Sequence, residues 1–211
     1  MNFMQLRERQ PKFPVTVKTG EGVVELIWNK IEYADGYRVF ASPVGKNHFV
    51  GVINVKGTTA VMKKRANGVP MQYKVKAFRI ADGPDNFFGE SEIVIACPLE
   101  TPRRLTAIVG SDGICTLSWR YNSQCDGFKI YADSNESGKY SFVCYSGKNS
   151  CRLDSFTKSG KVSFVVRSFI MTGHMEKLGV SSAPAEAVLP KSKGAKAVQF
   201  DLSLIHISEP T

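Results

Sequence analysis

No run of apolar residues in this chain approaches the length needed to cross a membrane. Its opening, MNFMQLRERQPKF, carries charge but has no apolar core and no small-residue cleavage site, so no export signal is visible. On that reading the chain as written stays in the cytoplasm, or Met1 is not the native start. No two cysteines have the CxxC spacing of a zinc site; the five lie at 97, 115, 125, 144 and 151. An odd count leaves at least one free thiol in a single chain, which fits a reducing compartment better than a disulfide scaffold. Glycine and proline, 18 and 10 of 211 residues, are close to average and exclude collagen-like or low-complexity chains. No stretch holds a helical period, and GxSxG, P-loop, dinucleotide and HExxH motifs are all missing. What is there is a composition able to bury a core, 43% hydrophobic and 22% charged, over a length that suits one large domain or two smaller ones.

The formal charge of +9 is scattered. Its densest clusters are Lys63-Lys64-Arg65, Arg103-Arg104 and the trio Lys191, Lys193 and Lys196. Solvated strand faces account for this pattern, and no nucleic-acid partner is expected.

An internal repeat sets the architecture. Trp28 in VELIWN matches Trp119 in CTLSWR. The run Asp35-Gly36-Tyr37-Arg38-Val39-Phe40 matches Asp126-Gly127-Phe128-Lys129-Ile130-Tyr131, and the run from Tyr73 to Phe78 matches that from Phe164 to Phe169. The offset is 91 in each case, and it is 90 for Gly89-Glu90-Ser91 against Gly179-Val180-Ser181. Within each repeat Val24, Leu26 and Trp28 alternate with outward residues, as do Cys115, Leu117 and Trp119; Tyr37, Val39 and Ala41; and Tyr73, Val75 and Ala77. Turn residues punctuate the runs.

This alternation predicts strands near 13–18, 22–29, 36–42, 47–54, 59–64, 71–79 and 91–96. A second set falls near 103–109, 113–120, 127–133, 139–146, 150–154, 161–170 and 182–188. Seven strands twice over imply an all-β chain of two tandem seven-stranded immunoglobulin-like β-sandwiches. The expected division is an N-terminal extension at 1–12, a first domain at 13–98, a linker at 99–101, a second domain at 102–190 and a basic linker at 191–201. Pro14 and Pro98 bracket the first domain, Pro102 and Pro190 the second, because proline suits strand boundaries. The short linker between Pro98 and Pro102 implies limited interdomain freedom.

The Trp at the end of the second strand, the D-G-[YF]-x-[VI]-[FY] third strand, the Y-x-V-x-A sixth strand and the opening prolines resemble fibronectin type III domains, over about residues 13–190. One position departs from the pattern: Tyr73 becomes Phe164, which implies a lost hydroxyl contact in the second repeat. The resemblance implies spacer, adhesion or interaction modules, often extracellular. Residues 202–211, LSLIHISEPT, resemble, residue for residue, the translation of an untrimmed sequencing adapter. They imply a shotgun sequence, most often of microbial DNA, whose true C-terminus is missing, and they stand outside fold reasoning.

No catalytic residue, cofactor or metal is expected. Trp28, Tyr37, Tyr73, Trp119, Phe128 and Phe164 are read as core. Cys115, Cys144 and Cys151 fall in phase with buried positions, and a disulfide among the second-domain cysteines stays open because spacing does not fix pairing. Asp133-Ser134-Asn135-Glu136-Ser137-Gly138 opens like a calcium loop, but its twelfth position is Cys144, so it is read as a polar hairpin turn. His48 and His174 have no evident partner. The segment from Ala81 to Gly89 reads as a loop whose Phe87 and Phe88 are either an exposed anchor for a partner or a cap folded onto the sandwich. The expectation is a non-catalytic, monomeric interaction or spacer segment of a larger, C-terminally truncated microbial protein, with a protein or carbohydrate partner. The alternatives are a phage or virion tail component and an accessory arm of a secreted carbohydrate-active enzyme.

Overall fold

The computed structural model describes residues 12–83, 85–154 and 159–190. The expected N-terminal extension up to residue 11, the basic linker at 191–201 and residues 202–211 lie outside the described residues.

Two β-sandwiches follow one another. In the first, β1 (Thr16–Gly20), β2 (Val23–Ile27) and β5 (Thr59–Met62) form a sheet in the order β1-β2-β5. It faces a second sheet made of β4 (Val50–Val55), β3 (Gly36–Pro43), β6 (Met71–Phe78) and β7 (Phe87–Glu90) in the order β4-β3-β6-β7, with β8 (Val94–Ala96) also on β6. The second sandwich repeats this. Its smaller sheet holds β9 (Arg103–Val109), β10 (Cys115–Arg120) and β13 (Ser150–Leu153) in the order β13-β10-β9. Its larger sheet holds β12 (Ser141–Ser146), β11 (Gly127–Asp133), β14 (Gly160–Thr172) and β15 (Met175–Leu178), with β16 (Ala185–Leu189) on β14. Every strand pair is antiparallel.

The period-two pattern decides which side chains meet between the sheets. Val24, Leu26 and Trp28 point into the first core against Tyr37, Val39, Tyr73, Val75 and Ala77. Cys115, Leu117 and Trp119 do the same in the second against Phe128, Ile130, Phe164 and Val166. Trp28 meets Tyr37 edge to face at 5.3 Å, and Trp119 meets Phe128 at 5.1 Å. Each such side chain removed from water contributes roughly 1.5–3 kcal/mol. Even an irregularity repeats: the register of β3 on β4 shifts between Val39 and Phe40, and that of β11 on β12 between Ile130 and Tyr131.

The last strand of each sandwich departs from the sequence expectation. In place of one strand at 91–96 there are two pieces, β7 on the end of β6 and β8 on its beginning. In place of one at 182–188 there are β15 and β16 on β14. The segment read as a loop up to Gly89 therefore becomes strand from Phe87 onward. The reason lies in Phe88: its ring needs the core, and pairing with β6 delivers it there at 3% exposure. At the break, one serine replaces a strand. Ser91 donates its backbone N–H to the Val75 carbonyl at 2.8 Å while its hydroxyl accepts the Val75 N–H at 2.8 Å. Ser182 does the same for Val166 at 2.9 and 3.0 Å.

Ser91→Ala and Ser182→Ala should each leave a buried central-strand N–H without an acceptor. Each is expected to cost about 1–3 kcal/mol in urea unfolding, whereas Thr, which keeps the hydroxyl, should cost less.

Candidate functional site

Two surfaces and one junction stand out from the folded chain. The same alternation that sends Tyr37 and Val39 inward sends Arg38 and Phe40 outward onto the open face of the larger sheet. There Phe40, Phe78 and Phe87 form an edge-to-face row, with centroids 5.5 and 6.5 Å apart. Cations lie over them: the Arg38 guanidinium 5.4 Å from the Phe87 centroid, and Lys76 Nζ 5.6 Å from Phe40 and 5.7 Å from Phe87. Acids close the layer. Glu90 pairs with Lys76 at 2.9 Å and Lys74 at 3.3 Å, and Arg38 with Asp85 at 2.8 Å. Burial alone would raise the Glu90 carboxyl, but the two lysines hold it below its ordinary value.

The second sandwich carries the matching face, less covered. Lys129, the counterpart of Arg38, pairs with Glu176 at 2.7 Å, which raises its affinity for the proton. Its Nζ lies 5.2 Å from the Tyr145 centroid and 5.8 Å from Phe142. Tyr131, Phe142, Tyr145 and Phe169 form a continuous aromatic patch with centroid separations of 5.9, 4.8 and 5.8 Å. Phe142 and Tyr145, on the edge strand β12, stay 48% and 57% exposed. Exposed aromatic rings held in register are rare on a solvated face and suit contact with a partner.

These positions were not singled out in the sequence. The signal was present in the third-strand motif, whose two aromatics, Tyr37 and Phe40 or Phe128 and Tyr131, are three apart and so lie on opposite faces. Of the pair that was singled out, Phe88 is in the core and unavailable as an exposed anchor, and Phe87 is half-buried within the aromatic row. Trp28, Tyr37, Tyr73, Trp119, Phe128 and Phe164 are all 5% exposed or less. Asp133 sits at the head of its hairpin turn, where its carboxylate accepts the N–H groups of Asn135 and Gly138 at 2.9 and 2.6 Å and the Ser137 hydroxyl at 3.3 Å. Those donors keep it below the usual carboxylate range and occupy the lone pairs a cation would need. Among the described residues no three His, Cys, Asp or Glu side chains converge as a metal site, and His48 and His174 are both exposed.

The junction is built from the linker. Pro98 and Leu99 are buried. Gly68 donates to the Pro98 carbonyl at 2.8 Å, and a Cβ at Gly68 would collide with the Gln124 backbone of the second sandwich. Glu21, in the turn between β1 and β2, binds Arg103 at 2.5 Å and accepts the Thr101 N–H at 3.4 Å. Glu100 accepts the Asn122 N–H at 3.0 Å and the Ser123 hydroxyl at 2.7 Å, while its own carbonyl accepts the Ser168 hydroxyl at 3.1 Å. In the first repeat, the N–H equivalent to that of Asn122 belongs to Ile31, and it is accepted by the Tyr37 hydroxyl at 2.8 Å. Phe128 stands where Tyr37 does and has no hydroxyl. The linker carboxylate takes its place.

In each sandwich the fourth strand pairs with the third and the fifth with the second, unlike constant-type immunoglobulin domains, where four strands share the first sheet. The chain is a tandem pair of β-sandwiches. It is similar to the FN1–FN3 domains of chicken CNTN1, at 19% identity over 86% of this chain and 69% of that one, with a TM-score of 0.37. It is similar also to a two-domain fibronectin type III segment of chicken tenascin, at 15% identity over 83% of this chain and 96% of that one, with a TM-score of 0.46. No family model and no curated protein matches.

The two aromatic faces should respond differently to truncation. Phe87→Ala removes a ring packed on two others and two cations, and is expected to cost about 2–3 kcal/mol; Tyr145→Ala, on the open face, should stay within about 0.5 kcal/mol in the same unfolding assay. Glu90→Gln tests the charge layer. A carboxylate whose folded pKa is depressed stabilises above its unfolded pKa and loses that effect as pH falls through the folded value. The difference between wild type and variant should be under about 1 kcal/mol at pH 7, given the exposure of the pairs, and should vanish on acidification below the Glu90 pKa.

Proposed function

We propose that the chain is a non-catalytic spacer: two β-sandwiches held end to end as one body within a larger microbial protein, presenting a side face to partners. The Glu100 clamp carries this reading. In a free tether the Glu100 carboxylate and the exposed Asn122 N–H would both turn to water; here the linker is fastened to the second sandwich through side chain and backbone alike. Glu21 and Gly68 fasten it to the first.

The open aromatic face of the second sandwich supports a docking role alongside the spacing role. Flat rings with an adjacent ammonium suit a protein partner or the apolar face of a carbohydrate, which keeps the virion-tail and accessory-arm readings in view.

Backbone ¹⁵N relaxation on the full chain separates a rigid spacer from beads on a string. A single rotational correlation time for both sandwiches is expected; two distinct times would overturn the reading. Glu100→Ala should uncouple the two motions and destabilise the second sandwich by about 0.5–1.5 kcal/mol. Adding Phe128→Tyr should return an acceptor to the Asn122 N–H, restoring much of the stability while leaving the sandwiches uncoupled.

A further inference from the structure

On one side of the second sandwich the two sheets end in β12 and β13, each an edge strand. The chain crosses from one to the other over Gly147, Lys148 and Asn149. The crossing is pinned by the Ser146 hydroxyl, which donates to the Ser150 carbonyl at 2.7 Å and accepts the Lys148 N–H at 3.1 Å. Across the gap between the sheets, Cys144 and Cys151 bring their Sγ atoms to 3.3 Å, both half-buried and both free. A disulfide needs its sulfurs about 2.05 Å apart. Among the described residues neither strand has a neighbour on its outer side, so a small reagent reaches the sulfurs without opening a sheet.

We propose that Cys144 and Cys151 form a redox-active dithiol that closes to an intramolecular disulfide across the open edge of the second sandwich, with a small-molecule disulfide such as oxidised glutathione as the oxidant. The Cys151 thiolate attacks one sulfur of the oxidant, whose S–S bond breaks and releases one thiolate. The Cys144 thiolate then attacks the Cys151 sulfur of the mixed disulfide and expels the second. The protein gives up two electrons and two protons, and the oxidant leaves as two thiols. The same two steps run with the roles of Cys151 and Cys144 exchanged. At this distance either S–H can donate to the other sulfur, so whichever thiolate forms first keeps the other thiol as a donor.

The remaining thiols are poorer partners. Cys115 is fully enclosed in the core, and burial pushes its thiol up. Cys97 is buried beside the linker and pushed up to about 11. Cys125 is raised by burial as well. The cross-link ties the edge strand that bears Phe142 and Tyr145 to the opposite sheet. It goes beyond the spacer reading and stands whether or not that reading does.

The test is made on the full wild-type chain, equilibrated in oxidised and in reduced glutathione and then unfolded for thiol counting. Five thiols in the reduced sample should fall to three in the oxidised one, with peptide mass mapping joining Cys144 to Cys151 and the melting temperature rising by roughly 5 °C. Cys144→Ser and Cys151→Ser should each abolish the melting shift, and Cys115→Ser should keep the loss of two thiols. A count that stays at five, a bond mapped from Cys151 to Cys115, or a bond between two chains would overturn the proposal, and each of these is read on the wild-type chain even if a variant fails to fold.

Discussion

A backbone N–H has to meet an acceptor, and the places where strand pairing does not supply one organise the rest of this molecule. Four such places are met in three ways. At Val75 and Val166 the last strand breaks, and Ser91 and Ser182 fill the ladder with one side chain and one backbone N–H each. At Ile31 the Tyr37 hydroxyl serves. At Asn122 it is Glu100, from outside the sandwich altogether. The first two solutions keep a domain closed. The last one uses the linker as part of the second domain, so that covalent continuity becomes a fixed geometry.

The outer faces follow a different rule. In the first sandwich, aromatic rings, overlying cations and flanking acids neutralise one another within the layer, leaving little unsatisfied surface. In the second, one strand brings two aromatics to the rim, where Lys129, paired with Glu176, lies beside them. Equivalent positions in a repeat thus serve covering in one copy and presentation in the other. The difference resides in β4 and β12: where Gly51 and Asn54 pair with Phe40 and Arg38 in the first sandwich, Phe142 and Tyr145 pair with Tyr131 and Lys129 in the second.

Much of the fold was legible because its determinants are local. Alternation at Tyr37 or Val75 fixes a strand and its inward face together, and the repeat at an offset of 91 confirms each assignment by its twin. The seventh strand was misread because Gly89 and Ser91 carry turn propensity, while what places them is the pairing of Phe87–Glu90 with β6, a contact the local sequence does not display. The aromatic faces were missed for a related reason. Phe40 and Tyr131 looked like ordinary strand formers, and only register brings them beside Phe87 or Phe142. Sequence comparison of the repeats drew attention to Tyr73 and Phe164. A hydroxyl with a consequence that the comparison did not draw out is that of Tyr37, absent at Phe128, because its partner is a backbone group six residues away that pattern reading has no means to see.

That exchange of a hydroxyl for a carboxylate also has a historical dimension. If the two sandwiches descend from one duplicated segment, positions 37 and 128 began alike, and the hydroxyl of the second copy became dispensable only once an acidic side chain stood at position 100. From then on the two sites are epistatic. Loss of the acid is harmful in a background with Phe128 and tolerable in one with Tyr, so purifying selection on a single backbone N–H would preserve the junction even in descendants for which its rigidity no longer mattered.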